Sequence, residues 1–156
     1  MAQVNKAQFG WIDNSNERTR TQIYVLGYAS TGLDYTAINT GIETLRGDLD
    51  TLTLLNETKV SVGTIVHSAT PTPPASVLAQ REHGLRFTCT DNVTGKYYRF
   101  DVPGVDESAY RTAGTDVCDL TQTDIAQFVS DYNGFGYSPD GNLGTIVSAR
   151  FYGKNN

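Results

Sequence analysis

The side chains that could carry chemistry are few: two histidines, two cysteines and a scatter of aspartates. His67 and His83 have no Cys, Asp, Glu or second His at helical or Cys-x-x-Cys spacing, so no metal or other cofactor is expected. A hydrolytic serine would need a Gly-x-Ser-x-Gly elbow, and the chain has none. Cys89 falls on the apolar side of an alternating stretch, the setting of an inert thiol rather than an activated one. Carboxylate pairs could be drawn from Asp101, Asp106, Asp116 and Asp119, but acidic residues in loops are ordinarily solvated. Asp140-Gly141-Asn142 lacks the alternating ligands and closing Glu of a calcium loop and reads as a tight turn. Gly134-Phe135-Gly136 follows a helical pattern, whereas a phosphate cradle opens one. No enzyme is expected from this inventory.

Two weaker constellations remain. Arg86, Lys96 and Arg99 lie among Tyr97 and Tyr98, the mixture with which a sheet stacks and neutralises single-stranded nucleic acid. A net charge of −5 opposes that reading, because phosphate binding draws on clustered Lys and Arg. The aromatic residues Trp11, Tyr24, Tyr97, Phe135, Tyr137 and Tyr152 form the second set, as candidates for a subunit interface. Tyrosine suits that role because it covers area at low entropic cost.

The elements that must position these residues centre on Arg81 to Asp106. Leu85, Phe87 and Cys89 alternate with Arg86, Thr88 and Thr90; Tyr98, Phe100 and Val102 alternate with Tyr97, Arg99 and Asp101. Asp91-Asn92-Val93-Thr94-Gly95 between them predicts a β-hairpin turn, and Pro103-Gly104 closes the second arm. Ala7–Asp13, Arg18–Ala29, Glu57–His67 and Gly144–Tyr152 read as further strands, the last with Thr145, Val147, Ala149 and Phe151 on one face. Ile38, Ile42, Leu45, Leu49 and Leu52 mark one amphipathic helix, with Asp34 or Thr36 as N-cap. Ile125, Phe128, Val129 and Tyr132 mark a second, begun by a capping-box spacing from Thr121 to Asp124 and ended by Gly134. Glu107 to Thr115 reads as irregular and polar. The expected fold is α+β: a mainly antiparallel sheet in the order β-β-α-β-β-β-α-β, with two amphipathic helices packed on it.

At 156 residues the chain suits a single domain, 1–156, with an extended N-terminal arm at 1–8 and a stiff Pro-rich surface linker at 70–75. It has no apolar run near the roughly 20 residues that cross a bilayer, and its first residues form no secretory signal. Synthesis in the cytoplasm without membrane insertion is the expectation, with Cys89 and Cys118 as buried free thiols.

The segments AQREHGLRF…DNVTGKYYRFDVPGVD, GTDVCDLT…FV and SPDGN…VSARFYGKNN resemble the small virion proteins of phages and related viruses, over about the C-terminal half of the chain. The resemblance implies a compact, acidic, self-assembling subunit of a coat, a decoration layer or a tail tube. It implies copies of the chain as partners, other virion proteins beside them, and no catalytic residues. A coat that packages its genome directly usually carries a basic arm, yet Met1–Gln8 has one Lys; this directs the expectation towards lattice contacts, an outer layer or a tube. Two alternatives stand beside it. One is a monomeric binding module that presents Phe135, Tyr97 and Tyr137 to a carbohydrate or protein; the other is a sheet that binds single-stranded nucleic acid.

Overall fold

The computed structural model describes residues 3–13, 18–27, 35–52, 57–68, 76–77, 83–92, 94–134 and 144–153, with side chains described at 36, 39–52, 83–92, 94–134 and 144–153. Along the chain run β1 (Gln3–Asp13), β2 (Arg18–Gly27), α1 (Tyr35–Thr51), β3 (Glu57–Ser68), β4 (Ser76–Val77), β5 (Gly84–Asp91), β6 (Tyr97–Pro103), α2 (Glu107–Tyr110), α3 (Thr123–Asn133) and β7 (Gly144–Tyr152). The class is α+β. The strands divide between two sheets, one in the order β2-β1-β3 and one in the order β4-β6-β5-β7. Every pairing is antiparallel except the two-residue match of β4 with β6.

The hairpin forms as the alternation predicts. Leu85, Phe87 and Cys89 oppose Val102, Phe100 and Tyr98, and all six side chains are buried. The turn closes through the Asp91 N–H donating to the Lys96 carbonyl at 2.9 Å and the Gly95 N–H donating to the Asp91 carbonyl at 2.7 Å. Gly95 has φ +73°, a left-handed conformation that only glycine adopts at no steric cost. Pro103 is the last rung of β6, opposite Gly84.

β7 departs from strict alternation. Thr88 pairs with Ser148 while the next residue, Cys89, pairs with Ile146, so Val147 is the extra residue of a β-bulge. Thr145, Val147, Ala149 and Phe151, expected to share one face, therefore do not: Ala149 and Phe151 are buried together with Ile146, while Val147 is 49% exposed. Because the side-chain period is two, one inserted residue exchanges the faces on either side of it. The Ile146 N–H donates to Asn133 Oδ1 at 2.9 Å.

The helices cover the inward face. α3 buries Ile125, Phe128 and Tyr132, and the Phe128 ring lies 5.3 Å from that of Phe87 while the Tyr132 ring lies 5.5 Å from that of Phe100. α1 buries Ile42, Leu45 and Leu49, with Leu52 just past its end, and contacts α3 and β3. Its start at Tyr35 places Thr36 inside the first turn; Asp34 lies outside the described residues.

Three local expectations change. The capping box does not form, because the Thr121 N–H and hydroxyl both donate to Asp119 Oδ1, at 2.9 and 2.6 Å, and Gln122 takes the N-cap without a side-chain bond. A local Asx-type turn has competed successfully for that hydroxyl. Gly134 does end α3, but with φ −91°, so its glycine character is not needed for a left-handed cap. Glu107–Tyr110 is a helical turn capped by Asp106, which accepts from the Ser108 N–H at 2.9 Å, and Tyr110 is buried.

Residues 3–8, expected as an arm, are rungs of β1 between β2 and β3. The Pro-rich stretch lies outside the described residues; the strands on either side of it, β3 and β4, stand at edges of different sheets. No described helix is long and apolar enough to cross a membrane.

Candidate functional site

The face of the four-stranded sheet opposite the helices gathers three arginines, Arg86, Arg99 and Arg150. Register alone dictates this. With Leu85, Phe87 and Cys89 inward, Arg86, Thr88 and Thr90 must point outward. Pairing then aligns Asp101, Arg86 and Arg150 in one row, Arg99, Thr88 and Ser148 in the next, and Tyr97, Thr90 and Thr145 in a third.

Arg86 is the fixed member. Its Nε and Nη2 donate to Asp101 Oδ1 and Oδ2 at 2.9 and 3.2 Å, and its guanidinium stands 4.7 Å from the centroid of the Tyr152 ring. Asp101 is fully buried, so the pair is shielded from water on the carboxylate side. The hydrogen bond from Arg86 to Asp101 raises the Arg86 pKa, and burial pushes the Tyr152 hydroxyl upward. Both groups therefore keep their protons at neutral pH. The Tyr152 hydroxyl is buried with no hydrogen-bond partner among the described residues. Gly84 makes room for it: a Cβ there would meet the Tyr152 hydroxyl at 2.8 Å and the Val102 carbonyl oxygen at 2.5 Å.

Around this fixed pair the face opens. Arg86, Thr88, Arg99, Asp116, Arg150 and Tyr152 surround a depression of about 230 Å³. Arg150 Nη1 reaches Asp116 Oδ1 at 3.4 Å, with side chains 68% and 63% exposed. Asp116 is delivered there by main-chain bonds: the Phe151 N–H donates to the Asp116 carbonyl and the Cys118 N–H to the Ala149 carbonyl. Arg99 is exposed and has no ion pair among the described residues.

Of the residues singled out in the sequence, Arg86 and Arg99 come together here, whereas Lys96 sits exposed in the hairpin turn beside Tyr97. Arg86 is bound to Asp101 and so is a structural member before it is a contact. Arg150 was missed. It comes from the far end of the chain, on a strand whose partner the sequence does not state. Among the aromatic candidates, Tyr97 is 67% exposed and Tyr152 lies under Arg86 on the same sheet. Trp11 and Tyr24 belong to β1 and β2 of the other sheet, with side chains outside the described set, and Phe135 and Tyr137 lie outside the described residues.

The four candidate aspartates do not pair with one another. Asp101 holds Arg86, Asp106 caps α2, Asp116 meets Arg150, and Asp119 closes the turn before α3. A carboxyl pair does form elsewhere, between Asp48 of α1 and Asp131 of α3. Burial, then the hydrogen bond with Asp131 and its charge, push Asp48 up to about 7. Both residues flank the apolar stripes of their helices, and only packing of the two helices brings them into contact.

The thiols are inert. Cys89 and Cys118 are buried and unpaired with each other; burial raises both, Cys118 up to about 12. Beside Cys89 the Tyr98 and Tyr132 hydroxyls form a buried 2.6 Å hydrogen bond. His83 is half-buried, and the described residues contain no cluster of three or more His, Cys, Asp or Glu that could hold a metal ion. Comparisons with protein-family models, curated proteins and solved structures found no match to this chain.

Proposed function

We propose that this chain is a non-enzymatic structural subunit that assembles with copies of itself in a viral particle, as a coat, decoration or tail component. The observation that carries the reading is the hairpin end of the four-stranded sheet. There Tyr97, 67% exposed, shares a cross-strand row with Thr90 and Thr145, and Val147, 49% exposed, follows at the bulge. Lys96 and Arg99 flank Tyr97. Tyr and Arg are the residue types enriched at subunit contacts, and Tyr97 with Arg99 supplies both. The reactive side-chain types support it from the other direction, since Asp101, Asp106, Asp119, Cys89 and Cys118 are each committed to the fold.

Light scattering on a size-exclusion column, followed by negative-stain microscopy, tests the reading. Oligomers, tubes or shells are expected, and Tyr97→Ser is expected to lower the assembled fraction several-fold. A monomer at millimolar concentration, with no particles in the microscope, rejects it.

A further inference from the structure

The geometry points to a binding site for a phosphate-class oxyanion in the depression between Arg99 and Arg150. The site goes beyond the assembly reading and does not depend on it. Arg86 and Arg150 are directly opposed across β5 and β7. Like charges in that relation destabilise a sheet unless something neutralises them. Asp101 does so for Arg86 with a buried, two-pronged contact. Asp116 does so for Arg150 only at 3.4 Å and only in solvent, where such pairs are worth little. Arg99 has no counter-charge among the described residues. Three guanidinium groups thus meet two carboxylates, and one positive charge is left over.

The donors suit a tetrahedral oxyanion. Arg99 and Arg150 are both exposed, so their planar forks are free to turn towards a guest, and such forks match phosphate oxygens two at a time. Thr88, opposite Arg99 in the register, adds a hydroxyl to the same depression. A planar carboxylate fills one fork, whereas a tetrahedral phosphate has oxygens enough to meet both forks at once. On binding, the anion takes the place of Asp116 at Arg150, and Asp116 returns to water. The source is either a free phosphate or small phosphomonoester, or the backbone of a single-stranded nucleic acid with Tyr97 as a platform for a base.

Calorimetric titration of the full chain with sodium phosphate, against sodium chloride at equal ionic strength, tests the site. A second arm uses a fluorescent single-stranded thymidine oligonucleotide. Phosphate is expected to bind where chloride does not, and the double variant Arg99→Gln/Arg150→Gln to bind it about tenfold more weakly or worse. Arg111→Gln, which removes an exposed arginine outside the depression, is the control and is expected to bind as the parent does. Oligonucleotide binding lost in the double variant assigns the polymer as source, and phosphate binding without it assigns the small ligand; both uphold the site. Phosphate indistinguishable from chloride, or full binding by a double variant whose melting curve matches the parent's, overturns it.

Discussion

Asp48 and Asp131 illustrate how one pair of residues can set a pH response. The Asp48 carboxyl has an ordinary value near 3.8 and is held up to about 7 in the folded chain. The folded state therefore keeps a proton that the unfolded chain releases. The stabilisation linked to that proton is complete below about pH 3.8 and disappears as pH rises through about 7. Asp48 is only half-buried, so solvent screens the effect and a change of a few degrees in melting temperature is the expected scale. Asp48→Asn keeps a neutral donor beside Asp131 at every pH. Melting curves at pH 5 and pH 8 are expected to show the variant losing less stability than the parent between the two. An equal loss in both proteins would reject the shared-proton pair.

At the scale of elements, the bulge in β7 is the feature with the sharpest consequence. Strict alternation would turn Val147 inward with Ala149 and Phe151; the bulge turns Ile146 inward instead. Val147→Asp is expected to change stability by no more than about 0.5 kcal/mol, as exposed substitutions do. Ile146→Asp places a charge against the hairpin core beside Cys89 and is expected to cost more than about 3 kcal/mol. Urea unfolding measures both, and the reverse order would restore the regular strand. The hairpin, by contrast, obeyed its pattern at each inward position from Leu85 to Val102. Its arms are contiguous in sequence and joined by a short turn with a glycine where φ is positive, so local rules sufficed.

Charge separates by layer among the described residues. Among the described residues the helices carry Glu43, Asp48, Asp50, Glu107, Asp124 and Asp131 against Arg46, while Arg86, Arg99 and Arg150 project from the outer sheet face. A net charge of −5 therefore describes no single surface, and an anion can meet a basic face on an acidic protein. The core between the layers joins residues from Ile42 to Phe151 and encloses both thiols. Cys89 and Cys118 are accordingly expected to resist Ellman's reagent until guanidinium unfolds the chain, and then to react together. Fast reaction of either thiol in native buffer would show that the core opens locally.

Much of this architecture follows from the order of residues alone. Period-two alternation identified the hairpin, period-3.6 stripes identified α1 and α3, and both are local consequences of where a backbone points successive side chains. The partition of strands between two sheets, the parallel addition of β4 and the bulge at Val147 arise from pairing between distant segments, which no local period encodes. The same holds for the site. Arg86 and Arg99 could be placed together because a turn of a few residues joins their strands, but Arg150 and Asp116 reach them only through β7, and Asp48 reaches Asp131 only through helix packing. Side-chain direction is a property of the chain; proximity across the molecule is a property of the packed core, because only burial of apolar faces against one another decides which elements become neighbours.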